Sequence, residues 1–395
     1  MHLTKTFLNY LSISVVVLFL GLTSCTRIGL EDLENRISEI GEEYVSDSRT
    51  SIFNVYIRSA GQKKIIVMGE ITESDARDAI FDVISQAGYD AIDSLELLPS
   101  FLLGNEIRGI VCVSVANIRI KPSHPAELST QAVMGTPLEI LKKERGWLLV
   151  RTPDRYIGWT NDSSVKIMTE SDLERWNTEN RILYTGIYGM VFSSDGFPVS
   201  DIVAGSIVVA EEMYNAHYGV ILPDGRRGIT SVNEWINFNT WADTIVPLGK
   251  TIVESALRFT GIPYMWGGTS SKTFDCSGFT KTVYFLNGLI LERDASQQIN
   301  HGLEVSSDTT FDQLQPGDLL FFGSKTPQRV IHTGIWIGNH LVIHASGLVK
   351  QESIVSSKEP FSSYLSETYL ETRRMIGHHS ETGIVRIKDH PWYVN

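Results

Sequence analysis

The sequence predicts an α+β protein: a carboxy-terminal mixed domain, two small β-barrels before it, and a small α/β unit near the amino terminus. Three patterns carry this reading. Residues 276–286 form an apolar helical run, and further on two β-branched runs at 330–337 and 340–345 flank a Gly-Asn turn. A helix and an antiparallel hairpin therefore share one domain. Between residues 110 and 238, short apolar strands recur at even spacing and are broken by turn residues, the rhythm of small barrels. Residues 31–98 mix helical and strand periods. The chain has 395 residues, too many for one ordinary core, and divides into 1–24, 25–105, 106–170, 171–245 and 246–395.

Residues 1–24 read as a targeting segment. Lys5 gives a weakly positive start and residues 11–22 are continuously apolar. A transmembrane anchor is the alternative, but the stretch is short for a span, which needs about 20 residues. Leu22-Thr23-Ser24-Cys25 resembles the lipobox of bacterial lipoproteins. That resemblance implies a signal peptide, a lipid on Cys25, and a membrane-anchored protein of the cell envelope that faces the periplasm.

Residues 31–45 have near-helical apolar spacing. Residues 51–58 and 64–69 read as strands around Ala60-Gly61-Gln62, and 72–86 as a helix burying Ile80, Phe81, Val83 and Ile84. Residues 91–98 suit a closing strand. No catalytic constellation stands in this unit, so its expected role is structural, placing the lipid anchor relative to the rest. The first barrel opens at Ala116-Asn117-Ile118-Arg119 and closes at Tyr156-Ile157-Gly158-Trp159-Thr160, a bacterial SH3-type pattern. After a polar helical connector at 171–179, residues 183–238 repeat it more loosely, with 203–209 as one of the clearest strands. Spacing and orientation are the roles this second barrel suggests.

Composition narrows the function. Hydrophobic residues make up 42% and charged residues 20%, which is globular, and the net charge of −12 argues against a nucleic-acid partner. Three cysteines, Cys25, Cys112 and Cys276, are too few for a disulfide framework, and Cys112 lies in an apolar run as a small core residue. His378, His379 and His390 lack acidic or thiol ligands at metal spacing, so neither a metal nor a cofactor is expected.

Cys276 stands out. It follows a loop of 261–268 and Asp275, a helix N-cap, so it falls in the first helical turn, where free N–H groups and the helix dipole favour a thiolate. Such a cysteine is a candidate nucleophile if a base lies nearby. His332 and His344 lie equally far from Gly338, which predicts that they meet across the hairpin; one imidazole faces the thiol and the other orients it.

These residues, with 264–268, 275–279, 314–322, His332-Thr333-Gly334 and His344-Ala345 in that order, resemble the NlpC/P60 cell-wall cysteine peptidases, on a papain-like scaffold. The resemblance implies hydrolysis of an amide in peptidoglycan-derived peptides by Cys276, His332 and His344, with Tyr264, Asp275 and Ser277 shaping the acyl side of the pocket. Two SH3-like modules ahead of the domain are similar to those of γ-D-glutamyl-L-diamino acid endopeptidases. These cut after L-Ala-γ-D-Glu and need a free N-terminal L-Ala, which implies recycling of wall fragments. By that similarity Glu127, Tyr156, Asp294 and Trp266 would cap the pocket around the L-Ala ammonium. Two other classes remain: an amidase or acyltransferase that shares the cysteine and histidine but acts on another wall-derived substrate, and a non-catalytic wall-binding lipoprotein in which the SH3 modules do the work, against which the intact set of Cys276, His332 and His344 argues.

Overall fold

The computed structural model describes residues 29–305, 311–379 and 382–395; the 1–24 leader and Cys25 lie outside them. Among the described residues no helix is long and apolar enough to cross a membrane.

The amino-terminal unit packs helices Leu30–Tyr44 and Ser74–Gln86 into one core with strands Phe53–Ser59, Lys64–Ile71 and Asp90–Leu97. The first two strands form an antiparallel hairpin. The third runs parallel to the second, which requires a crossover, and helix Ser74–Gln86 supplies it. That helix buries Ala76, Ile80 and Ile84. Phe81 and Val83, expected in the buried set, are only half-buried, because a stripe spaced by four residues faces the sheet and its flanks are shared with solvent.

Two seven-stranded antiparallel sheets follow, one running from Arg108–Val111 to Val165–Met168 and the other from Arg181–Tyr184 to Trp235–Asn237. Helix Glu170–Thr178 joins them, opened by a capping box in which Thr169 accepts from Asp172 N–H and Asp172 returns the bond. The stretch 203–209 is not one strand. It holds the end of Pro198–Val203, a turn with Gly205 at φ 87°, and the start of Ile207–Tyr214. Apolar residues on both sides hid a turn that glycine's left-handed backbone allows.

The last domain sets helix Cys276–Phe285 against a six-stranded antiparallel sheet. The strand order is Leu303–Val305, Tyr369–Arg374, Leu319–Lys325, Gln328–Gly338, Leu341–Ser346, Leu348–Ser353. Phe274, Phe279, Val283 and Tyr284 fill the space between helix and sheet.

The first barrel is bonded to this domain at fixed points. The Thr269 hydroxyl donates to Gln131 O at 2.7 Å, and the Thr269 and Ser270 donors meet Gln131 Oε1 at 3.1 Å each. Lys281 pairs with the buried Asp154. The amino-terminal unit docks on both: Ile157 N–H donates to Arg49 O at 2.8 Å, and Gln297 Nε2 donates to Asp47 at 2.8 Å.

Candidate active site

Asp275 caps the helix, its Oδ1 accepting the Gly278 N–H at 2.7 Å, while Asp275 O takes the Phe279 N–H. This leaves the N–H groups of Cys276 and Ser277 free of the cap, and the Ser277 N–H bonds to the sulfur. Asp275 is itself held by the buried Arg293, whose guanidinium also donates to Ser277 Oγ at 3.0 Å and, across the domain boundary, to Thr130 Oγ1 at 2.9 Å. A buried carboxylate in this position requires such a partner.

The thiol does not behave as the helix start predicts. Burial, and then the Asp275 carboxylate, push Cys276 up to about 12, against the pull of the Thr333 and Ser277 N–H groups and Arg293. Desolvation outweighs the dipole because Cys276 is only 8% exposed.

The Thr333 N–H bonds to the Cys276 sulfur, and His332 is the residue before it on strand Gln328–Gly338. His332 Nε2 and His344 Nδ1 are 2.9 Å apart. They are not directly opposed. The register pairs Ile335 with Ile343 and Trp336 with Val342, and continued along the strands it sets His344 against Gly334. The loop is Asn339-His340, both at positive φ (53° and 65°), one residue later than the Gly-Asn turn read from sequence. His332 reaches His344 diagonally, over a residue with no side chain. A Cβ on Gly334 would come within 2.9 Å of His344 Cβ.

His344 Nε2 lies 3.0 Å from Glu352 Oε2, and Lys350 holds the other oxygen at 3.1 Å. A carboxylate there fixes tautomers down the chain. His344 donates from Nε2, so its Nδ1 accepts from His332 Nε2–H, and His332 Nδ1 keeps its lone pair. Burial, then His344, lower His332 to about 3; burial, then Lys350, lower His344 to about 4. Burial thus disfavours both the thiolate and the imidazolium.

A pocket of about 460 Å³ opens over the sulfur. It is lined by Cys276, Asp275, Ser277, Trp266 and Asp294 of the cysteine domain and by Glu127 and Tyr156 of the first barrel. Trp266 is 65% exposed at the rim and its indole N–H donates to Glu127 at 2.8 Å. The Tyr156 hydroxyl meets Asp294 Oδ2 at 3.2 Å. Tyr264 packs against the domain core near Cys276; burial, then the Cys276 and Asp275 charges, push its phenol up to about 12. The first barrel and the cysteine domain thus share one pocket.

The NlpC/P60 family description matches residues 261–384, and that of the bacterial dipeptidyl-peptidase SH3 domain matches 118–165. Residues 261–384 form an NlpC/P60 domain. The chain is 26% identical over 261 residues to a gamma-D-glutamyl-L-lysine dipeptidyl-peptidase of Bacillus cereus, covering 63% of this chain and 76% of that protein. It is 29% identical over 250 residues to dipeptidyl-peptidase 6 of Lysinibacillus sphaericus, covering 61% and 88%. The crystal structure of an NlpC/P60 family protein from Bacillus cereus superposes with a TM-score of 0.57 at 23% identity, covering 68% of this chain and 99% of that one, a likeness of fold. The protein is a cysteine peptidase.

The NlpC/P60 domain also uses residues that sequence reasoning missed. Glu352 and Lys350 sit two apart on the strand paired with the one bearing His344, so a period-2 reading of 348–353 could have set both on the histidine face. Arg293 lies next to Asp294, but its burial under the first barrel had no local signal. The amino-terminal unit, expected only to play a structural role, sends Arg49 into the pocket. Among the described residues no group of three metal-binding side chains is present.

Proposed function

We propose that this NlpC/P60 enzyme hydrolyses the γ-D-glutamyl–diamino acid bond of peptidoglycan stem peptides that carry a free N-terminal L-Ala. The observation that carries the reading is that Glu127, Tyr156, Asp294 and Cys276 line one pocket, which supports acidic and phenolic recognition of an ammonium near a nucleophile. The named relatives, gamma-D-glutamyl-L-lysine dipeptidyl-peptidases among them, support the same bond.

In this reading the Cys276 thiol passes its proton to His332 Nδ1 as sulfur attacks the γ-carbonyl. Two buried charges of opposite sign form together, which neither group could carry alone. The Cys276 and Ser277 N–H groups receive the developing oxyanion. His332 then protonates the departing amine, and water, giving a proton back to His332, cleaves the thioester to free L-Ala-γ-D-Glu. His344 and Glu352 hold the His332 tautomer. Wall-fragment recycling, and a lipid on Cys25 that holds the enzyme at the cell envelope, complete the proposal.

The test is incubation of the protein without its leader with L-Ala-γ-D-Glu-L-Lys and its diaminopimelate counterpart, reading the dipeptide by mass. Cys276→Ala should abolish turnover while leaving the unfolding midpoint close to wild type, since alanine suits the first helical turn. Glu352→Ala should lower kcat with little change in KM. Release of some other fragment, or full activity in Cys276→Ala, would refute the assignment.

A further inference from the structure

Arg49 enters the pocket from a part of the chain that neither family description covers. It sits in the turn after helix Leu30–Tyr44. Asp47 takes its Nε at 2.8 Å and one terminal nitrogen at 2.7 Å. The other terminal nitrogen donates to Asp294 Oδ2 at 2.8 Å and to Ser296 Oγ at 2.9 Å. Asp294 Oδ2 already accepts from the Tyr156 hydroxyl at 3.2 Å, and Arg293 stands 3.7 Å from Oδ1. Asp294 is therefore neutralised by guanidinium groups of the protein itself.

Glu127 differs. It is exposed, accepts from the Trp266 indole, and has no cationic partner among the described residues. Three carboxylates, Glu127, Asp275 and Asp294, line the pocket against three guanidiniums, Arg49, Arg293 and Arg329. Without Arg49 the balance would be three against two, with the excess negative charge at the Asp294 end.

Building on the substrate proposed above, we propose that Arg49 is a specificity-determining residue. It is an internal cation that competes with the substrate ammonium for Asp294, so that selection of a free amino terminus falls mainly to Glu127. An arriving ammonium has to share Oδ2 or displace one arm of Arg49, while the two bonds to Asp47 keep the guanidinium tethered in either case. Docking of the unit does not depend on this side chain's reach, because the Arg49 carbonyl and Asp47 hold their own bonds to Ile157 and Gln297.

The experiment measures kcat and KM on L-Ala-γ-D-Glu-L-Lys and its N-acetyl form for wild type, Arg49→Gln, Arg49→Lys and Glu127→Gln. Freeing one charge-assisted acceptor should raise the free-over-acetylated preference about tenfold in Arg49→Gln, through a lower KM for the free peptide. Arg49→Lys, which keeps the charge but loses the fork, should fall between it and wild type. Glu127→Gln should lose most of the preference. A ratio unchanged or lowered in Arg49→Gln, or equal losses on both peptides, would overturn the role of Arg49 while leaving the substrate in place. If wild type and Arg49→Gln cleave neither peptide, the substrate is wrong and this inference falls with it.

Discussion

The two barrels share a seven-stranded antiparallel design, yet only one reaches the chemistry. The first lends Glu127 and Tyr156 to the pocket and Thr130 to Arg293, and it bonds the catalytic loop through Gln131. The second lines no part of that pocket. Its buried arginine, Arg181, has no carboxylate partner among the described residues and donates to Asn177, Asn239 and the Tyr393 carbonyl, bracing the segment around Tyr393. Burial lowers Arg181 to about 10, whereas Arg293 is raised because Asp275 more than offsets its burial. One arginine is a brace and the other is part of the electrostatics of the site. The difference arises from which part of each barrel faces the catalytic domain: strand Leu128–Val133, which carries Thr130 and Gln131, and the turns that carry Glu127 and Tyr156.

The largest effect should come from exchanging these arginines. Arg293→Ala leaves Asp275 buried without its partner and should cost about 3–5 kcal/mol in denaturant unfolding, with loss of turnover. Arg181→Ala should also destabilise, but the folded fraction should keep the wild-type preference for a free amine. A change of preference in Arg181→Ala would break the contrast between the barrels.

Acid should next separate the regions. His332 and His344 stay neutral down to about 3 and about 4, while the unfolded chain takes up these protons near the usual histidine value. The unfolded state therefore binds more protons, and the stability contributed by this pair is present above pH ~6.5 and is lost as pH falls toward 4. The second barrel's histidine, His217, is exposed. Hydrogen exchange on lowering the pH should rise first in the catalytic sheet, and His332→Gln with His344→Gln should flatten that response. Equal opening of both regions would count against buried neutral histidines.

Smaller effects sharpen the comparison on the ligand side. Tyr156→Phe removes the phenol oxygen that would itself accept from the substrate ammonium, while its bond to Asp294 is only 3.2 Å, and should weaken selection of the free amine by several-fold. In the second barrel, Glu234→Gln breaks an exposed ion pair with Arg258 at 3.2 Å and should leave that selection within twofold. A similar response from both would mean that the first barrel acts only as a scaffold.

Much of the protein is local and so readable in one dimension. The cap at Asp275, the helix beginning at Cys276, the histidine hairpin and the even spacing of barrel strands each depend on neighbours a few residues away, and they set the α+β class and the nucleophile. What reading along the chain could not supply depends on burial and on contacts between distant segments. The N-terminal position of Cys276 in its helix is legible, but the desolvation that reverses its effect on the thiol comes from the sheet packed over it. His332 and His344 are legible as a pair; the diagonal set by a two-residue loop and by Gly334 is not. Arg293 meets Thr130 across 163 positions and Arg49 meets Asp294 across 245. Periodicity carries no information at such separations, because these contacts exist only once three folded units have docked.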